Sequence, residues 1–276
     1  MSEREFLIQR MNEIGLPVSD RQVEQFELFF CDLVEKNRVM NLTTITDWED
    51  VVVKHYVDSL AIIKICDLRK GSFRVLDVGT GAGFPGIPLA IMFPDLKIVM
   101  ADSVGKKISF IREEIEKLHL TRAEALHERV EEMARKEEYR EKFDYCVSRA
   151  VANLSTLSEY CLPFVKTGGS FIAYKSGNCQ KEMEEAQNAV RMLSGKIIRT
   201  EKYVIGGHES PELNSALENG QIQVFNVEKE NLRKEDLKNA SVNSSFSRTL
   251  IEIKKVGITS AKYPRKAGIP SRSPLS

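Results

Sequence analysis

Apolar residues first recur at helical spacing. Ser19 followed by Gln22 makes a capping box, and Val23, Phe26, Phe30 and Leu33 then fall on one helix face. Thr46 and Glu49 repeat the signal ahead of a second apolar stretch over residues 51–65. Residues 1–70 are therefore expected to form a helical unit, with 37–45 as the connection between two longer helices. The period changes after that. Short apolar runs at 73–78, 98–101, 143–147 and 171–174 alternate with amphipathic stretches, a pattern that predicts a mostly parallel sheet with helices on both faces. Residues 112–142 carry dense charges of both signs and read as a solvated helix face. Between 199 and 247 a Gly206-Gly207 turn, a polar loop and a weak strand at 222–227 suggest a sheet edge interrupted by an insertion. The end, 254–276, holds six basic residues, no acidic one and three prolines, and is expected to be an extended tail. The expected divisions are a helical extension 1–70, a sheet domain 71–256 and a basic tail 257–276.

Composition narrows the class. With 276 residues, 42% hydrophobic and 29% charged, the chain is long enough for a large core and too apolar for general disorder. No run approaches the roughly 18–20 apolar residues of a membrane span, and the charged start lacks a signal core, so a cytoplasmic location with no membrane partner is expected. Five cysteines form no C-x-x-C pair, which favours reduced, packed thiols over a disulfide framework or a metal site. Forty basic residues balance forty acidic ones, so any polyanion has to be recognised by local patches.

The segment from Val75 to Gly86 carries the chemistry. An apolar strand runs into Gly79, Gly81, Gly83 and Gly86 and then into an apolar helical run, the arrangement of a nucleotide-type site. Gly81, Gly83 and Gly86 satisfy the dinucleotide spacing, a weak pattern alone. Asp77 argues the other way. A carboxylate at the mouth of the turn repels a pyrophosphate and suits a cationic ligand such as S-adenosylmethionine. Asp102, ending the second strand beside Ser103, is placed to accept hydrogen bonds from ribose hydroxyls in either ligand class. After the third strand, Val130 and Glu131 are candidates to flank the adenine. Removing Asp77 or blocking Gly79 is expected to abolish donor binding with little loss of fold.

These motifs, with Asn41-Leu-Thr, His55-Tyr-Val-Asp-Ser-Leu60, Ser148-Arg-Ala-Val-Ala152 and Lys262-Tyr-Pro-Arg-Lys-Ala-Gly268, resemble the bacterial 16S rRNA guanine-N7 methyltransferases called RsmG, or glucose-inhibited division protein B. The resemblance covers nearly the whole chain. It implies a class I, Rossmann-like methyltransferase with a seven-stranded, mostly parallel sheet. It also implies that Gly79 and Phe84 contact the methyl donor, Asp102 the ribose, Val130 and Glu131 the adenine, and Arg149 the region between donor and substrate. Two departures stand out. The chain is longer than expected for the family, with the excess between Tyr203 and Ser247, and the lysine-glycine pair expected after the fifth strand is Lys175-Ser-Gly177.

Guanine N7 offers a neutral lone pair, so its methylation needs positioning rather than a strong base. Asn41, His55, Asp58, Ser148 and Arg149 are the candidate positioners. RNA contacts are expected from Lys262, Arg265, Lys266 and Arg272 beside a stacking Tyr263, with Lys36 and Arg38 adding to the surface. Cutting the chain after Gly257 is expected to spare donor binding and weaken RNA binding. The expected partner is 16S rRNA or the assembling small subunit, with a monomer favoured. The rival readings are a methyltransferase of small molecules or proteins, and a binding protein without turnover.

Overall fold

A computed structural model describes residues 1–177, 179–205 and 247–276, together with the backbone of 223–225. The capping box at Ser19 is present, and it opens α2 (Asp20–Met40) after a first capped helix, α1 (Glu3–Glu13), that the spacing rules passed over. Helix α2 runs into the expected 37–45 connection as far as Met40. It ends where Asn41 takes a left-handed conformation at φ 51°, which asparagine tolerates. The next helix starts one residue later than expected: Asp47, not Thr46, is the cap, and α3 (Trp48–Val51) continues through a π-helical stretch Val52–Val57, α4 (Asp58–Leu60) and a 3₁₀ turn Ala61–Lys64.

The alternating half of the chain gives β1 (Arg74–Val78), α5 (Gly86–Met92), β2 (Lys97–Asp102), α6 (Gly105–Lys117), β3 (Ala123–His127), α7 (Val130–Met133) and β4 (Phe143–Arg149). It continues through α8 (Leu154–Cys161), β5 (Val165–Ser176), α9 (Gln180–Met192), β6 (Gly195–Ile205), β7 (Gln223–Phe225), β8 (Ser247–Lys255) and α10 (Ile269–Arg272). The strands form one sheet in the order β3-β2-β1-β4-β5-β8-β6-β7. The pairs among β1 to β5 are parallel, and β8 runs antiparallel between β5 and β6. The expected seven strands are there, and the three-residue β7 adds an eighth beside β6. The Gly206-Gly207 turn and the polar loop lie outside the described residues.

Strand alternation divides the core. Val75, Ile98, Met100 and Ile172 face the N-terminal helices, α5 and α6, whereas Leu76, Val78, Cys146 and Phe171 face α8 and α9. The N-terminal helices thus share one continuous core with the sheet, with Phe29 against Phe84 at 5.3 Å and Phe110 at 6.4 Å. Two charged positions of the 112–142 stretch depart from a solvated face: Glu114 is fully buried and Glu131 is 5% exposed. The expected extended tail is also folded. Tyr263 is 4% exposed and belongs to the second core, and Arg265 closes a bidentate pair on the fully buried Glu159.

Candidate active site

Two clefts open at the carboxyl ends of the parallel strands, where ligands of such sheets gather. The first, about 410 Å³, is lined by Gly79, Asp102, Ser103, Val130, Glu131 and, from the C-terminal segment, Gly268 and Ser271. Its floor is made of backbone. Gly79 has φ 70°, and a Cβ there would stand 2.5 Å from Val151 Cγ2, so a side chain would be strained and would displace Val151. Gly81 also has positive φ, and the nearest atom to a Cβ there is 4.0 Å away, which leaves the loop's outer surface open. Asp102 fixes the loop by accepting the Gly81 amide at 3.0 Å and the Val104 amide at 2.9 Å, one on each oxygen. Each oxygen keeps a second lone pair for a hydroxyl donor.

Asp77 is not at the mouth of the turn. It shares the strand face of Val75, is fully buried, and its Oδ2 accepts the Gly86 amide at 2.9 Å, so it braces the loop from beneath. Burial pushes its carboxyl up to about 6 against the pull of Thr80 and the Gly86 amide. Gly83 packs on Ile87, and the Phe84 ring is 5% exposed, so both shape the loop from its inner side. Glu131 is engaged as well, its Oε1 accepting the Gly268 amide at 2.9 Å.

The second cleft, about 400 Å³, shares Ala150 with the first. Ala150 has φ 57°, an unusual conformation for a residue with a side chain, and it follows Arg149 at the ridge between the clefts. Arg149 Nη1 donates to Asp58 Oδ2 at 2.9 Å and to the Lys54 carbonyl at 3.2 Å, and Arg149 Nη2 lies 3.3 Å from His55 Nδ1. The His55 ring stacks on Phe84 at 4.5 Å, and its Nε2 lies 2.8 Å from Thr43 Oγ1. Burial, then the Arg149 charge, drives the His55 pKa down to about 3, so the ring is neutral at physiological pH. Asp58, 3% exposed, accepts a second hydrogen bond from Tyr203 Oη at 2.8 Å and has Arg248 Nε at 3.7 Å. Lysine 175 donates to the Ala152 carbonyl and to Glu182 Oε1, at 2.7 and 2.6 Å. Lys54, Arg149, Lys175 and Arg248 line this cleft against Asp58 and Glu182, and with Asp50 paired to Lys54 at 2.7 Å the basic groups exceed the carboxylates by one.

The structure brings Arg149, His55 and Asp58 together and leaves two candidates apart. Ser148 is fully buried and donates to the Val78 carbonyl at 2.8 Å, tying β4 to β1 rather than facing a ligand. Asn41 is exposed at the end of α2 and lines neither cleft. Among the expected RNA contacts, Lys262, Lys266, Arg272 and Arg38 are exposed, whereas Lys36 pairs with Glu113 at 2.8 Å and Arg265 with Glu159. Burial removes Tyr263 as a stacking ring. Tyr203 was missed because its partner Asp58 lies 145 positions away in the chain. The described residues hold no group of three His, Cys, Asp or Glu side chains arranged for a metal, and no helix among them is long and apolar enough to cross a membrane.

Residues 22–209 match the model of a family described as rRNA small subunit methyltransferase G. The chain belongs to this family. A ribosomal RNA small subunit methyltransferase G of Lachnoclostridium phytofermentans is 41% identical over 275 residues, covering 100% of this chain and 98% of the relative. Its namesake from Acetivibrio thermocellus is 40% identical over 273 residues, covering 99% of this chain and 97% of the relative. A solved branched-chain polyamine synthase mutein from Thermus thermophilus superposes with TM-score 0.52 at 13% identity, covering 84% of this chain and 63% of that one, a likeness of fold. The fold is that of the class I, Rossmann-like methyltransferases.

Proposed function

We propose that this chain transfers a methyl group from S-adenosylmethionine to N7 of a guanosine in 16S rRNA of the small ribosomal subunit, in the cytoplasm. The observation that carries the reading is the pair of clefts meeting at Ala150, one floored by glycine backbone and the other walled by cations. The first cleft suits the donor: its volume lies in the usual range of about 300–1,000 Å³ for small-molecule sites, Asp102 offers lone pairs to ribose hydroxyls, and the Gly81 turn admits close approach. Bound there, S-adenosylmethionine supplies an electrophilic methyl group on a sulfonium.

The chain's own residues then orient the acceptor. Guanine N7 attacks through a lone pair that carries no proton, so no strong base is required, and a histidine held near pKa 3 is a poor one at neutral pH. Arg149, fixed by Asp58 and lying with its guanidinium carbon 5.1 Å from the Phe84 ring centre, forms the ridge against which the base is aligned. The cations of the second cleft attract the RNA backbone, and exposed Lys262, Lys266, Arg272 and Arg38 extend that attraction outward. Gly79, Asp102, Ser103 and Val130 act on the donor by contact, whereas Asp77 acts by holding the loop.

The test is transfer of labelled methyl to small-subunit particles and to their naked rRNA, prepared from cells lacking N7-methylguanosine there, with the modified base mapped. Label at a single guanosine N7 supports the reading, and the better acceptor identifies the assembly stage. Donor binding without label on either acceptor refutes it.

A further inference from the structure

The donor cleft has a wall that none of the glycine or strand motifs announced. Gly268 and Ser271, from the C-terminal segment, line it together with Tyr160 of α8. The segment is fastened to the body along its length. Arg140 donates to the carbonyls of Thr259, Ser260 and Tyr263 at 2.8, 3.2 and 3.0 Å, and Arg135 donates to the Pro264 carbonyl at 2.7 Å. Glu159 accepts both the Arg265 amide at 2.7 Å and the Arg265 guanidinium, and Thr156 Oγ1 donates to the Pro270 carbonyl at 3.1 Å. Glu159 is fully buried, so without the segment its charge would have no such partner. Nearest the cleft, Glu131 holds the Gly268 amide at the left-handed turn, φ 78°, that starts α10.

We propose that this C-terminal strap is a fixed wall of the donor cleft, with Glu131 as its latch at Gly268 and Ser271 facing the nucleoside of the bound donor. The proposal rests on the donor reading above and adds to it a residue, Ser271, that no glycine or strand motif reaches. It reverses the expected effect of cutting after Gly257: the cut removes part of the donor site along with the basic tail. The strap also has an outer side, where Lys262 and Lys266 are exposed. One short segment thus serves both ligands.

Calorimetry with S-adenosylhomocysteine tests the wall on the full chain. Ser271→Trp fills the cleft from an exposed position, and Ala261→Trp adds the same bulk to the strap outside the cleft. The expected result is affinity weakened by about tenfold or more in Ser271→Trp, unchanged in Ala261→Trp, with equal thermal midpoints. Hydrogen exchange gives a second readout: the Arg272 and Ser273 amides, bonded to the Gly268 and Ile269 carbonyls, are expected to slow when S-adenosylhomocysteine is added. Affinity in Ser271→Trp within about twofold of wild type, with those amides unslowed, overturns the wall alone. Wild-type protein that fails to bind S-adenosylhomocysteine overturns the donor reading and the wall with it.

Discussion

The donor cleft and the cationic cleft share Ala150, yet they are made of different materials. The donor cleft has a backbone floor and latch, the positive-φ Gly79, amides bonded to Asp102 and the Gly268 amide, with side chains such as Lys107, Arg129 and Tyr160 around it. The cationic cleft is side chain: Arg149, His55 and Asp58 hold one another, Tyr203 holds Asp58 from behind and Lys175 pairs with Glu182, so one helical region and three strands contribute. A backbone site is shaped by local conformation and tolerates few substitutions at its turns. A side-chain site owes its shape to mutual charge and hydrogen bonding, so it can lose function while the fold and the neighbouring cleft survive.

Substitutions on either side should separate the two. The largest effect is expected from Gly79→Val, which places a β-branched residue at φ 70° against Val151. Donor affinity by calorimetry should fall about a hundredfold, with a stability loss of about 2–4 kcal/mol in urea. Next, Arg149→Ala should cut turnover about a hundredfold while donor affinity stays within about threefold. It leaves Asp58 buried without its main partner, so stability should drop by about 3–5 kcal/mol, and adding Asp58→Asn should restore much of the stability but not the turnover. Equal losses of donor affinity and turnover in Arg149→Ala would mean that the clefts are one site.

Smaller effects sharpen the comparison. Tyr203→Phe removes one hydrogen bond to Asp58 and should cost about 1 kcal/mol of stability and a few-fold in turnover, with donor affinity unchanged. A further effect is a matter of pH. His55 has a folded pKa near 3 against an ordinary 6.5, so the unfolded chain binds its proton first, and stability falls as pH drops from 6.5 toward 3. Glu114 has the opposite sign. Burial, with Asp32 nearby, raises its pKa to about 8 from 4.5, so the folded chain holds the extra proton and stability falls as pH rises from 4.5 to 8. His55→Gln should flatten the acid side of a denaturation-versus-pH profile, and Glu114→Gln the neutral side.

The material of each cleft also decided how much of it could be read from the chain. Gly81 and Asp102 are 21 positions apart, within one strand-helix-strand unit whose period and glycine spacing are local signals. Strands β1, β2, β4 and β5 were legible for the same reason: each is a short apolar run between amphipathic stretches. Arg149 and Asp58 were named as candidates, but their pairing across 91 positions, and the Tyr203 bond across 145, belong to no local period. Asp77 was placed on the wrong side of its own turn because composition gives a charge and not the strand face, which here it shares with Val75 beneath the loop. The tail misled in the same way. Its basic residues were expected to meet RNA from an extended tail, and only the fold supplied the buried Glu159 that binds one of them.

The junction of the clefts is tested most directly by a bisubstrate ligand in which guanine is joined through N7 by a methylene-based linker to the 5′ position of adenosine, compared with the same conjugate made through N1. If the clefts meet at Arg149 and Ala150 as acceptor and donor sites, the N7-linked ligand should bind wild-type protein at least about tenfold more tightly than S-adenosylhomocysteine. That gain should vanish in Arg149→Ala, with S-adenosylhomocysteine affinity retained. An N7-linked ligand that binds no better than S-adenosylhomocysteine, or less well than the N1-linked one, would contradict the assignment.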